Sequence, residues 1–310
     1  MRAFRFAVTV RNAPSAEEWR AKARRIEALG YDTLVTPDHI TPQFAPIPAL
    51  MAAANATTRL RVSALVFAND YRNPVMFAKE IATLDVLSEG RCDVGLGTGW
   101  LAKDYEMLGI AVDPAADRVS RLAEAITLMK RLWTEERVDH DGRHYAVRGA
   151  VVLPRPVQRP HPPLVIGASG PAMLRLAGRH ADVVSITGAL GRPEADPSWH
   201  ALRGAAAFEA KLDIVHRAAG ERAATIGVNA GVEIKITDDP EAAYETAAAK
   251  ASVPAADVAA SPLYLYGPLA SLRRQLLERR ERYGLSYYRA GEDEIEELSP
   301  LAKVMSGLDA

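Results

Sequence analysis

The chain has 310 residues, 48% of them apolar and 25% charged, with a net charge of -1. That is the make-up of a globular protein with a large core, without the excess of basic residues that a nucleic acid or an anionic membrane surface calls for. A single cysteine, Cys92, excludes a disulfide framework and a cysteine metal site. The start at Met1-Arg2-Ala3 runs at once into a strand, which reads as no secretory leader. No apolar run approaches the roughly eighteen residues that span a bilayer. Together these features predict a cytoplasmic protein.

In chain order, Phe4 to Val10 is predicted as a strand, and a helix follows from Ser15, whose hydroxyl with Glu18 makes a capping box. Thr33 to Thr36 is a second strand, Ile47 to Thr57 a helix, and Leu60 to Phe67 a third strand. Asn73-Pro74 opens a helix to Leu87 with Met76, Phe77, Ile81, Leu84 and Leu87 as its core stripe. Cys92 to Leu96 is a fourth strand that runs into Gly95, Gly97 and Gly99 and then Trp100. Residues after Ala102 open no convincing helix. Pro114 to Trp133 is a helix, and Arg137 to Val147 a hairpin turning at Asp141-Gly142. Leu164 to Gly167 and Asp182 to Ile186 are strands around a helix from Pro171. Ser198 to Ala219 is helical, Thr225 to Ile236 a long seventh strand, and Pro240 to Val258 a helical insertion. Leu269 to Tyr283, Ser286 to Arg289 and Ile295 to Ser306 complete the pattern as helix, strand and helix.

Eight strand–helix units predict a single α/β domain over residues 1–310, a (β/α)8 TIM barrel with insertions after strands 4 and 7. An open doubly wound sheet is the alternative. In a barrel the site lies at the C-terminal strand ends, which selects Arg11 and Asn12, Asp38 and His39, Asn69 to Arg72, Thr98 to Trp100, and Gly167 to Gly170. Gly167, Ala168, Ser169 and Gly170 precede a helix, so backbone N–H groups there suit a phosphate; a glycine-rich helix start is the plainer reading. Arg118 is a second anion candidate, or a solvated helix arginine. Asp38-His39 suits proton transfer, or is a polar loop dipeptide. Phe67 and Trp100 line a substrate pocket, or pack in the core. The other histidines show no metal spacing, so no metal is expected.

Several segments together resemble the bacterial luciferase-like superfamily and, within it, the coenzyme F420-dependent oxidoreductases. They are Glu27 to Asp32, Asp38-His39, Tyr71 to Pro74, Ala82 to Arg91, Gly95 to Trp100, the Arg118–Glu124–Trp133 helix, Ile166 to Gly170, Leu176 to Asp182 and Gly284 to Tyr288. The resemblance implies a barrel holding deazaflavin, or alternatively FMN, in its mouth. It places a non-proline cis peptide near Leu65–Val66, with Asn69 and Thr98 flanking the ring. It gives the phosphate to Gly167 through Gly170 and Arg118, and proton chemistry to His39 oriented by Asp38. Ala172 stands where the luciferase branch has a threonine, and Trp100 where the sugar-phosphate dehydrogenase branch has a glutamate. The implied activity is hydride transfer between F420 and an apolar or aromatic small molecule. An FMN-dependent monooxygenase and a flavin-binding protein without turnover are the rivals. Arg155, Arg159 and Arg192 are candidates for a basic groove along the F420 tail, and a homodimer through the first helices is implied by analogy.

Overall fold

The computed structural model describes residues 2–187 and 202–306. Its strands are β1 Arg5–Thr9, β2 Thr33–Thr36, β3 Arg61–Ala64, β4 Phe67–Ala68, β5 Cys92–Gly97, β6 Val138–Asp141, β7 Ala146–Ala150, β8 Leu164–Ala168, β9 Val183–Ile186, β10 Gly227–Gly231, β11 Glu233–Ile236, β12 Tyr264–Gly267 and β13 Leu285–Gly291. The helices are α1 Ala16–Ala28, α2 Pro46–Asn55, α3 Pro74–Leu87, α4 Ala102–Leu108, α5 Ala115–Thr134, α6 Pro171–His180, α7 Ala205–Ala219, α8 Pro240–Ala251, α9 Ala255–Ala260, α10 Leu269–Tyr283 and α11 Ile295–Ser306. Strands β1, β2, β3, β5, β8, β9, β10 and β13 pair in parallel, and the β13–β1 and β3–β5 pairings close the ring. The predicted TIM barrel is the observed one. None of the described helices is long and apolar enough to cross a membrane.

Alternation along each strand sorts the side chains into two cores. Phe6, Val8, Leu34, Val62, Val94 and Ile166 point outward into the large cluster beneath the helices. Ala7, Val35, Val165, Val183 and Tyr287 form a small cluster inside the barrel. Three acidic side chains tie loops at the N-terminal end of the barrel. Glu27 accepts the N–H groups of Thr58, Arg59 and Leu60, Asp85 those of Val157 and Gln158, and Asp182 that of Leu164. Each sits in a segment that carried the family resemblance, so part of that signal is loop fixation.

Four expectations are corrected. The residues after Ala102 do form a helix, α4, closed by Gly109 at φ 67°. The seventh strand splits: β10 stays in the barrel, and β11 leaves to pair with β12 in a separate parallel sheet. Glu233 and Lys235 are exposed while Ile234 is buried, a one-sided pattern that a barrel strand lacks. The insertion breaks at Ser252 to Pro254 into α8 and α9, with the unpredicted β12 following. On α3, Met76 and Leu87 are each 57% exposed and leave the core to Phe77, Ile81 and Leu84.

Candidate active site

The interior positions at the C-terminal end of the barrel carry little side chain: Gly97 on β5, Gly167 on β8, Ser185 on β9 and Gly231 on β10. Barrels usually fill such levels with bulky branched residues. The missing volume opens as a cavity of about 290 Å³, walled by strand ends, with His39, Leu65, Val66, Thr98, Trp100, Arg118, Ser169, Gly170 and Arg289 among its lining.

Between β3 and β4 the Leu65–Val66 peptide is cis, at the bond the resemblance named. The bulge explains the glycines of the fourth strand. A Cβ at Gly95 would overlap the Ala64 carbonyl oxygen, and one at Gly97 would lie 2.5 Å from Val66 Cγ2. Gly167 faces the same side chain, with 3.0 Å between its notional Cβ and Val66 Cγ1. Gly99 has φ 76°, a conformation that favours glycine. Glycine at alternate positions is thus dictated first by the neighbouring chain, and Gly97 and Gly99 line the cavity as a consequence.

Asp38 is not the partner of His39. The His39 Nδ1 lies 2.6 Å from Asp104 Oδ2 on α4. Asp104 is fully buried and also accepts the Ile40 N–H and the Tyr71 hydroxyl, each at 3.1 Å. A carboxylate at Nδ1 assigns the proton to that nitrogen and leaves Nε2 as the acceptor. Trp100 stands edge-on to the imidazole, with 5.7 Å between centroids and 88° between planes. Asp38 instead binds Arg72, at 2.9 Å from Nη2, and the Ala68 N–H at 2.9 Å, which fixes the chain after the bulge. The Tyr105 hydroxyl, beside Asp104, lies 2.8 Å from the Thr98 carbonyl and 3.0 Å from Asp70, two acceptors that share its one proton. Burial and Asp70 push its phenol up to about 12, so it remains a donor.

At the fifth strand end, Gly167, Ser169 and Gly170 line the cavity. Ala168 does not: its side chain is buried in the outer core. Gly170 caps α6 without a side-chain hydrogen bond, and a Cβ there would find nothing within 4 Å. Arg118 reaches the same mouth, held by the Asp113 carbonyl at 3.1 Å and by the Gly99 carbonyl.

Three sets of predicted residues lie elsewhere. Phe67 is 1% exposed and packs edge-on against Phe77 at 4.9 Å, because the bulge turns it outward. Asn69 donates to the Tyr145 hydroxyl at 3.2 Å and lines a separate cleft with Asp70 and Arg121. Arg155 and Arg159 bind the carbonyls of Leu132 and Pro156 and line no part of the cavity; Arg192 lies outside the described residues. No group of three or more His, Cys, Asp or Glu suited to a metal occurs among the described residues.

Tyr71, among the strand-end candidates, lines the cavity, whereas Asp104, Met173, Ser185, Thr187 and Arg289 were not predicted. The strand-end rule, carried past the fifth strand, reaches Ser185, Thr187 and Arg289 directly. Arg289 donates through Nη1 to Thr9 Oγ1 at 3.1 Å, while its Nε is buried without a partner.

The profile of the luciferase-like monooxygenase family matches residues 2–301. An F420-dependent glucose-6-phosphate dehydrogenase of Microbacterium testaceum is 38% identical over 164 residues, 50% of this chain and 48% of that one. The chain spans about half the length of the curated relatives it matches in this way. Among solved structures, a monooxygenase RslO1 from Streptomyces bottropensis superposes with a TM-score of 0.71 at 22% identity, covering 98% of both chains. An F420-dependent secondary alcohol dehydrogenase in complex with an F420–acetone adduct gives 0.74 at 17% identity, over 97% of this chain and 98% of that one. Matched along nearly its whole length, the chain belongs to the luciferase-like monooxygenase family.

Proposed function

We propose that this chain is an oxidoreductase that uses coenzyme F420 to exchange a hydride with a small molecule. The observation that carries this reading is His39, held at Nδ1 by a buried carboxylate on the rim of a cavity backed by the Leu65–Val66 bulge. The F420-dependent activity named for several relatives supports it. The residues present fit such a cofactor. The empty space at Gly170 and the uncapped start of α6 form a cradle for a phosphate, with Ser169, Gly167 and Arg118 beside it. Ala168 offers backbone alone. Leu65, Val66, Gly97 and Thr98 would back the ring. When bound, F420 supplies two-electron hydride chemistry. The protein's part is to hold a proton acceptor at His39 Nε2, to keep that ring oriented through Asp104, and to exclude water with Trp100 and Met173.

Trp100 beside His39 favours an apolar or aromatic substrate face. Glucose 6-phosphate, named for the relatives, is a poor match for an indole at this place. The test is a titration of purified protein with F420 and with FMN, oxidised and reduced, followed by fluorescence, and then a turnover screen at the deazaflavin absorption band. F420 is expected to bind and turn over. Binding of FMN with no effect of F420 overturns the reading in favour of a flavin-dependent monooxygenase. The same reading includes a homodimer through α2 and α3, supported by a groove where Ile47, Met51, Met76 and Leu87 meet solvent. A monomer in sedimentation at micromolar concentration would remove that part.

A further inference from the structure

We propose that Arg289 is a substrate-binding residue that grips a carboxylate, so that the substrate is a small organic acid with an apolar body; this deepens, and rests on, the oxidoreductase reading above. Arg289 ends the interior-facing row of β13, opposite β5 in the ring of eight strands, and lines the cavity. The fold makes room for it: a Cβ at Gly231 on the adjacent strand would lie 2.8 Å from its Nη2.

A guanidinium carries five N–H donors and keeps its charge in a protein. Here one donor meets Thr9 Oγ1, Nε is buried without a partner, and no carboxylate pairs with the group among the described residues. The site adds positive charge, since Arg11 at the end of β1 lies close enough to act on Arg289. A half-buried cation without an anion is unfavourable, and the charge complement a single guanidinium fork fits best is a carboxylate, through two parallel N–H···O bonds. A phosphate dianion asks for more positive charge than one fork and an exposed Arg11 provide. The cofactor phosphate is served on another wall, where α6 begins. An acid head at Arg289 leaves the substrate body toward Trp100 and Met173, both apolar.

The test measures binding by calorimetry, with and without F420, using benzoate, the neutral benzamide and phenyl phosphate as probes. Benzoate is expected to bind at least tenfold tighter than benzamide. Arg289→Met is expected to abolish that preference, Arg289→Lys to keep part of it, and Gly231→Ala, which retains the charge but crowds it, to weaken benzoate severalfold. Melting temperatures of the variants show whether each is folded, and Arg289→Lys with Gly231→Ala carries the test if Arg289→Met is not. Equal affinity for benzoate and benzamide overturns the proposal. So does unchanged benzoate binding in folded Arg289→Met, or phenyl phosphate binding tighter than benzoate. F420 binding, read separately by its fluorescence, distinguishes the two layers: a charge preference that depends on Arg289 without F420 binding sinks the cofactor reading alone.

Discussion

Two arginines inside one barrel have opposite circumstances. Arg5, near the N-terminal end of β1, donates to Asp93 at 2.7 Å and to Asp32 at 3.0 Å, and lies over the Tyr287 ring at 4.2 Å. Arg61 adds a second cation on Asp93, which is wholly buried. Burial alone would raise the Asp93 carboxyl, but Arg5 and Arg61 together hold it below its ordinary value. Two residues beyond Tyr287, Arg289 has Thr9 and, among the described residues, no acid. Between them the apolar layer of Ala7, Val35, Val165, Val183 and Tyr287 separates the ends. One end is neutralised by the protein's own carboxylates and supports stability. The other keeps an unspent charge at a cavity, where a ligand can meet it.

The sharpest way to break this contrast is to unpair the lower end. Asp93→Asn takes the buried, shared acid from the half-buried Arg5 and Arg61, leaving only Asp32 on Arg5, and is expected to cost about 3–5 kcal/mol. Arg289→Met removes a charge that has no acid among the described residues and is expected to change stability by less than about 1 kcal/mol, or to raise it. Chemical denaturation of both variants checks the pair. Equal losses would show that Arg289 has structural partners after all.

At the upper end the next effect falls on catalysis. Asp104→Asn takes the carboxylate from His39 Nδ1 and frees the imidazole to adopt the other tautomer. A loss of about a hundredfold in kcat is expected, the scale of a positioned acid or base, with KM little changed and the pH profile displaced. Loss confined to KM would mean that the pair serves binding.

How much of this was legible follows from where each contact comes from. The barrel was readable because each strand–helix unit repeats a local pattern, from the Ser15 cap to the Asn73-Pro74 start. The cis bond came from family resemblance, while the cavity-lining Ser169, Gly170 and Trp100 came from the strand-end rule and Arg118 from its place near a helix start. The His39–Asp104 pair joins residues 65 apart in sequence, through a helix too short to announce itself. Asp38, adjacent in sequence, was the natural guess, yet neighbouring side chains on an extended segment diverge, and Asp38 went to Arg72. Phe67 read as a pocket residue because the bulge that turns it outward is invisible in periodicity.

The glycines test the same division more finely. Gly95→Ala sets a Cβ against the Ala64 carbonyl and is expected to cost about 1–3 kcal/mol or more, since backbone must move. Gly170→Ala meets nothing within 4 Å and should fold as the wild type does, while weakening F420 by filling its phosphate cradle. Melting curves and F420 titration of the two variants separate a glycine kept for the chain from one kept for the ligand.

A third half-buried base explains why the arginine is different. His180, at the end of α6, is surrounded by burial, then Lys130, Arg222 and Arg179, and its pKa falls to about 4. Like Arg289 it has cations for company. Unlike Arg289 it can release its proton, and the neutral ring needs no anion. In the unfolded chain it titrates near the ordinary 6.5, so below that pH the unfolded state binds a proton that the folded state refuses. Its contribution is therefore complete above pH 6.5 and drains away as pH falls toward 4, by roughly 1–2 kcal/mol once solvent screening is allowed for. Asp93, held below its ordinary value, keeps its charge across this window, so the lower ion network does not contribute to the slope. His180→Gln should flatten the dependence of unfolding free energy on pH between 6.5 and 4.5, measured by denaturant titration. Parallel curves for variant and wild type would assign the acid sensitivity elsewhere.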